Sequence, residues 1–304
     1  MRDILIALPD AAAHRVTVIV PFYNQAQFVL DRLSSIVLQK AFIKEVIVLD
    51  DCSSDATVAA IESFPWGDVS YKLVSNDRNS GSPFVQWAKG LGLAKSELIW
   101  IAEGDDSSRP GFLKSAVEAF NSDSEVDVYC CNSEPIDAEG NILESTPVFS
   151  QNFIYQAIDF SRIYLDDFNR ITNASSVVFK SSVAENVCAS IATFRWLGDH
   201  LFYRIIMVNS RKIFTESLAY NLHRRHSGCV TWNSNVDVKI DELYKLSIST
   251  SRYTETALWR IYRSFFLNIK ALLGRKKFML HSHRVWALPF FMVVSRLLRR
   301  YRSF

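Results

Sequence analysis

Hydrophobic runs that end in a turn or an acidic cluster constrain this chain more than any other feature in it. Residues 16–57 read VTVIVPFYNQAQFVLDRLSSIVLQKAFIKEVIVLDDCSSDAT, and WIAEGDD follows at 100–106. Val16 to Val20 reads as a buried strand, Pro21 as a turn, and Asn24 as a residue whose side chain caps the next helix. Phe28, Val29, Leu33, Ile36 and Val37 keep the spacing of one buried helical face. Val46 to Leu49 is a second strand that runs into Asp50 and Asp51, and Leu98 to Ala102 is another that runs into Glu103, Gly104, Asp105 and Asp106. In an open α/β sheet, ligands bind beyond the carboxyl ends of the strands, so carboxylates placed there face a site rather than a core.

The alternation continues through a helix at 55–64, a strand at 69–74, a helix from Pro83 to Ala94, a helix starting at Pro110 and a strand from Val126 to Cys131. This predicts an α/β fold, Rossmann-like, with a mostly parallel sheet and helices on both faces. Farther on, DAEGN at 137–141 reads as a hairpin turn and 142–158 as loop-rich. A short helix at 159–166, a strand from Ser175 to Phe179, a helix starting near Asp199 and a strand from Lys212 to Leu218 follow. From about Val236 the pattern is helical, interrupted near Gly274 and Pro289, and no repeat or low-complexity tract occurs.

With 304 residues, 49% hydrophobic and 22% charged, the chain is able to bury a substantial core as one or two domains. Its 5 cysteines form no CxxC or metal-ligand spacing, and the odd count argues for reduced thiols in a cytosolic setting. The apolar run at the N-terminus is broken by Pro9 and no stretch of 18 apolar residues occurs, so neither secretion nor membrane integration is expected. Of the 34 Lys and Arg, 11 follow Glu255, whereas none of the 32 Asp and Glu do; residues 256–304 therefore carry +11 and residues 1–255 carry −9.

The opening VIVPFYN, the run VLDDCSSD, NSG at 79–81 and EGDD at 103–106 together resemble family 2 glycosyltransferases of the GT-A fold, of the bacterial surface-polysaccharide type. The resemblance is strong over about 16–130 and weaker over 165–232. It implies a GT-A domain at 1–232, with a nucleotide-binding half at 14–132 and an acceptor half at 133–232. Residues 233–304 would form a helical, basic, membrane-associating extension.

The resemblance also implies site residues. Pro21, Tyr23, Asn24 and Asp51 would line the nucleotide pocket, with Asp51 accepting the imide N–H of a pyrimidine. The alternative is that the Asp50 to Asp55 run only caps the next helix, a role that suits Ser53 or Asp55. Asp105 and Asp106 stand at the DxD-type place and would hold Mg²⁺ or Mn²⁺ against the donor diphosphate, with Glu103 in a ribose or supporting role. An isolated EGDD is otherwise a solvated acidic turn. Asp199 in FRWLGDHLFYRI is the candidate base for the acceptor hydroxyl. Relatives often have Glu-Asp there, whereas Gly198 precedes it here. Its alternative is an acidic residue favoured by a helix N-terminus, with His200 as a substitute base. In HRRHSGCVT at 223–231, Arg225 and His226 would balance leaving-group charge, and His226 would complete the metal shell; the alternative is a basic surface loop. Asn173, in ITNASS, matches a segment that flanks the acceptor pocket.

The stretch VWALPFFMVVSRLL at 285–298, between RKK and RRYR, is too short to span a bilayer but suits a helix lying on an anionic membrane surface. A core or dimer helix is the alternative, and nucleic acid is not expected because no nucleic-acid module accompanies the charge. The resemblance implies an inverting, metal-dependent, hexosyltransferase-type enzyme that uses a nucleotide-diphosphate sugar, UDP or dTDP favoured. The acceptor is expected to be a lipid-linked glycan or surface polysaccharide, and the location the cytoplasmic face of the plasma membrane. The competing reading is an inactive GT-A scaffold that binds nucleotide-sugar or lipid. No GxGxxG follows the first strand and no GxxxxGK[ST], HExxH or GxSxG occurs, which disfavours dinucleotide, P-loop, zinc-protease and serine-hydrolase chemistry.

Overall fold

The computed structural model describes residues 16–166, 169–228, 238, 241–243, 245 and 246. The apolar alternation folds as β1 (Val16–Phe22), α1 (Ala26–Val37), β2 (Ile43–Asp50), α2 (Thr57–Glu62), β3 (Tyr71–Ser75), α3 (Pro83–Leu93), β4 (Leu98–Ile101), β5 (Ser107–Ser108), α4 (Phe112–Ser122) and β6 (Val126–Ile136). Then come β7 (Phe153–Gln156), α5 (Ala157–Tyr164), β8 (Val177–Lys180), α6 (Cys188–Ile191), α7 (Gly198–Asn209) and β9 (Lys212–Arg224). One sheet contains them in the order β3-β2-β1-β4-β8-β6-β9-β5, with β7 also on β9.

The first four strands in that order are parallel, as the strand–helix alternation requires. Beyond β4 the sheet is mixed. β8 runs antiparallel between β4 and β6, β9 is parallel to β6, and the short β5 and β7 pair antiparallel with β9. β5 and β7 are strands where the sequence reads as loop. The 137–141 turn does form, with Asp137 and Asn141 bonded and a bridge from Ile136 to Ile142. β6 runs through residues 132 and 133, so the nucleotide and acceptor halves share one sheet. Nearly all of the extension from 233 lies outside the described residues, and no described helix is long and apolar enough to cross a membrane.

Every residue of β1 is buried because helices cover both faces of the sheet. Val16, Val18 and Val20 pack with Leu33 and Ile36 of α1 and with Phe112 of α4. On the other face Ile19 packs with Phe84 and Trp87 of α3 and Phe202 of α7. Two local rules act at α3, where the Ser82 hydroxyl accepts the Phe84 N–H and Pro83 opens the first turn.

The start of α1 corrects the expected cap. Asn24 adopts φ 51°, and its Oδ1 accepts the Ser54 N–H at 2.8 Å instead of a donor in its own helix. The first turn of α1 is capped from the loop after β2: Thr57 Oγ1 accepts the Gln25 N–H and Asp55 Oδ2 the Ala26 N–H. Asn24 thus stitches the loops after β1 and β2 together. Asp55 also binds the Thr57 N–H at the start of α2, whereas Ser53 turns back to accept the Asn24 N–H.

Gly198 explains the departure from the Glu-Asp pattern before Asp199. A Cβ there would lie 2.4 Å from the ring of Phe84, so α7 is able to rest on α3 only with no side chain at this position. Gly198→Ala is therefore expected to destabilise the fold by about 1–3 kcal/mol, the usual cost of overpacking, seen as a lower urea midpoint at unchanged slope. An unchanged midpoint would mean that α7 is not seated on Phe84.

Candidate active site

The carboxyl ends of β1, β2 and β4 and the end of β9 meet around the EGDD turn. Gly104 is required there, because a Cβ would sit 2.4 Å from the Phe22 ring and 2.6 Å from the Pro21 carbonyl oxygen. Pro21 itself is buried in β1, while Tyr23 just beyond it is 46% exposed and offers its ring. Asp51 is buried at the end of β2. Its Oδ1 accepts from the Asn76 and Gln86 amides and the Ser80 N–H, and its Oδ2 from the Ser80 hydroxyl at 2.7 Å. It is therefore not a helix cap; it holds the 76–86 loop and keeps Oδ2 with a single donor.

The acids of the turn divide by environment. Asp106 is 1% exposed, and both its oxygens are taken: Oδ1 accepts the Arg224 N–H at 3.0 Å and Oδ2 the Asn173 amide. Burial raises its pKa. So placed, it is an internal anchor that joins the β4 turn to the end of β9. Asn173 belongs to the same network. Its amide is engaged at both ends, donating to Asp106 and accepting from Asn221 at 2.7 Å, so it braces the site and does not present its amide to an acceptor. Glu103 accepts the Trp87 indole N–H at 2.7 Å, and its pKa is pushed up to about 8 by burial and by Asp105 and Asp106.

Asp105 is half-buried, and its Oδ2 lies 3.0 Å from Nε2 of His226. The Gly228 N–H donates to His226 Nδ1, which leaves Nε2 as the protonated nitrogen facing Asp105. Among the described residues no three His, Cys, Asp or Glu converge on one point. For Nε2 to join Asp105 as a donor to a cation, the ring proton must sit on Nδ1 and the Gly228 N–H contact must open; in that tautomer the carboxylate–imidazole pair suits a cation completed by phosphate oxygens and water. Arg225 is exposed beside it, held by its N–H on the Ile136 carbonyl.

Two arginines absent from the sequence-based candidates underlie this arrangement. Arg224 stacks its guanidinium over Phe28, donates Nε to the Asp105 carbonyl at 2.8 Å and Nη1 to the Asp137 and Ala138 carbonyls, and pairs with Asp31 of α1. Arg32 is fully buried on α1, stacked over Trp100 and bonded to Ser175. Burial lowers its pKa to about 10, opposed chiefly by Asp106 and Glu103, so it stays charged at neutral pH. A signal for it was present: Arg32 falls on the apolar face of α1 between Phe28 and Ile36.

Asp199 lies in the first turn of α7, accepts the Asn169 amide at 3.1 Å, and has its pKa pushed up to about 6 by burial. His200 is packed, with Arg204 Nε donating to its Nε2 and its pKa pushed down to about 3 by burial and Arg204. It is no substitute base. The 169–176 segment ties the two acidic centres together: Asn169 binds Asp199, Asn173 binds Asp106, and the Ser175 hydroxyl accepts the Glu103 N–H. The four-residue step from 169 to 173 spans at most roughly 14 Å.

The family model described as Glycosyl transferase family 2 matches residues 17–181. The succinoglycan biosynthesis protein ExoO of Rhizobium meliloti is 36% identical over 103 residues, which cover 34% of this chain and 29% of that protein. Poly(ribitol-phosphate) beta-N-acetylglucosaminyltransferase TarS of Staphylococcus aureus is 30% identical over 129 residues, 41% of this chain and 22% of TarS. The matches thus span less than a third of these relatives. The crystal structure of TarS 1–349 with UDP-GlcNAc superposes with a TM-score of 0.68 at 18% identity, over 88% of this chain and 74% of that one. The mannosyltransferase PcManGT of Pyrobaculum calidifontis, with GDP-Man and Mn²⁺, gives 0.58 at 17%, over 97% and 84%. With the family model matching more than half its length and the GT-A sheet in place, the chain belongs to glycosyl transferase family 2.

Proposed function

We infer that this glycosyltransferase moves a sugar, with inversion, from a nucleotide-diphosphate donor to a hydroxyl of a lipid-linked glycan or surface polysaccharide. The observation that supports the reading is that the 169–176 segment bonds to Asp199 through Asn169 and to the Asp105–Asp106 turn through Asn173. Structural neighbours were crystallised with UDP, UDP-GlcNAc and GDP-Man, and the sequence relatives include a succinoglycan biosynthesis protein and a poly(ribitol-phosphate) glycosyltransferase, which supports the donor class and the polysaccharide setting.

Asp105 and His226 would hold Mg²⁺ or Mn²⁺, which supplies Lewis-acid charge to the departing diphosphate. Around that position the chain's own groups do the rest. Tyr23 and Asp51 take the base, with Asp51 Oδ2 free to accept an imide N–H. Arg225 is exposed next to His226 and balances diphosphate charge as it develops. Asp199, ionised, accepts the proton of the acceptor hydroxyl as that oxygen bonds to the anomeric carbon. The bond from the anomeric carbon to the diphosphate oxygen breaks on the opposite face, and the diphosphate leaves with the electron pair.

A base must be ionised to act, so a carboxylate with its pKa raised to about 6 gives activity that is full above that value and falls as pH drops through it. The expected kcat/KM profile has an acid limb near pH 6. Asp199→Asn should lower kcat by roughly 10²–10⁴-fold with nucleotide affinity unchanged. Near-wild-type turnover in Asp199→Asn would remove Asp199 as the base.

The +11 charge of residues 256–304, outside the described residues, supports a place at an anionic membrane surface on the cytoplasmic side. The full chain should pellet with vesicles containing anionic phospholipid and not with zwitterionic ones. Replacing Arg299, Arg300 and Arg302 by Gln should weaken that binding by roughly 10- to 100-fold. Equal binding to both vesicle types, or to neither, would contradict a membrane role for this segment.

A further inference from the structure

α7 has no side-chain cap of its own; its N-cap residue is Leu197, and the first residues inside are Gly198 and Asp199. The donors ahead of it are satisfied from far along the chain. Glu242 Oε1 accepts the Arg195 N–H at 2.6 Å, and Oε2 accepts the Trp196 and Leu197 N–H groups at 2.8 Å each. A carboxylate that accepts three successive backbone N–H groups makes strong charge-assisted bonds and fixes the turn that carries them. Glu242 is only 4% exposed, so these bonds are made out of water. Residues 241–243 and 245–246 are helical, and Leu246 packs in the same core as Phe194 and Leu201, on either side of the bonded turn.

We propose that Glu242 is a positioning residue for catalysis: by clamping the 195–197 turn it sets the direction in which Asp199 projects, making the segment that follows the His226 loop part of the catalytic apparatus. The proposal rests on the reading of Asp199 as the base. Among the described residues, Asp199 is otherwise held by the Asn169 amide and by backbone N–H groups of its own turn, so the clamp bears on its aim.

The charged and titratable groups around Asp199 are few. Glu242 acts on it from the C-terminal segment, and Tyr203 sits one turn on in α7. His200 is neutral, Arg204 is committed to the Leu165 and Asp166 carbonyls, and Glu103 and Asp106 act on the same Tyr203 from the EGDD turn. Glu242 is therefore the charge whose removal bears most directly on the base. Losing a negative neighbour makes the carboxylate easier to ionise, so its pKa falls.

The test uses the full chain with Glu242→Gln and Glu242→Asp, and as donor whichever of a UDP-, dTDP- and GDP-sugar panel the wild type turns over. Three readouts are taken: kcat and KM against pH, nucleotide affinity, and amide hydrogen exchange of peptides covering 195–200. Glu242→Gln is expected to lower kcat roughly 10- to 100-fold, the scale of an ångström-level misplacement, with donor KM and nucleotide affinity unchanged. The acid limb should move to lower pH, exchange at 195–197 should rise, and Glu242→Asp should recover part of the activity. A general loss of folding would lower nucleotide affinity as well and would overturn the proposal. So would faster exchange at 195–197 with kcat and the acid limb at their wild-type values, which would leave Glu242 as a helix cap alone. Wild-type turnover with no acid limb, or an Asp199→Asn variant that works normally, would instead remove the assignment of the base, while the exchange data would still report on the clamp.

Discussion

The structure depends on how it tolerates three carboxylates within four residues at the end of β4. Carboxylates taken out of water cost several kcal/mol each unless they are paired and hydrogen-bonded. Here Arg32 supplies the guanidinium charge, and the Arg224 N–H, the Asn173 amide and the Trp87 indole N–H supply the hydrogen bonds. Arg32 lies beneath the turn, charged at neutral pH despite full burial, and Arg224 lies beside it, bonded to the Asp105 carbonyl and, through its backbone, to Asp106. Asp106 is bonded on both oxygens within the protein, which fixes its end of the turn. Gly104 is pressed against Phe22 and Pro21. Asp105 is the acid that this geometry brings to His226.

The same knot explains how distant pieces of sequence arrive at one place. β9 begins at the far end of the sheet beside β6 and β7 and delivers Arg224 and His226 at the other. The 169–176 segment runs past the base and the acidic turn in succession, touching Asp199, Asp106 and Glu103. Side chains held in this way are oriented before any substrate arrives, and in enzymes preorganised charge is where much of the rate enhancement originates. Gly198 belongs to the same logic: the site gives up a second acid before Asp199 so that α7 is able to seat on Phe84.

The half of the fold with strict strand–helix alternation was legible in the sequence, because burial on both faces of a parallel sheet leaves continuous apolar runs that begin and end in turn residues. The antiparallel additions were not. β5 has two residues and β7 four, too few to show a period, and both exist because β9 offers them an edge. Local rules failed where tertiary partners outbid them. Asn24 has a capping side chain, but its left-handed backbone sends it to Ser54. At the site, the residue types were readable and their division of labour was not: two adjacent aspartates look alike until one is seen to be enclosed by Asn173 and Arg224. Arg32 was hidden by its charge, although its position on the apolar face of α1 marked it, and Glu242 carried no local signal, since its partners lie elsewhere in the chain.

The central proposal is that Asp105 with His226, and not Asp106, would form the cation position against which the donor diphosphate rests. Anomalous X-ray scattering from crystals grown with UDP and Mn²⁺ tests it most directly. The account predicts one manganese peak bonded to Asp105 Oδ2, His226 Nε2 and the diphosphate, with Asp106 still holding the Arg224 N–H and the Asn173 amide. A manganese ion coordinated by Asp106, or nucleotide bound with no manganese at Asp105, would contradict it.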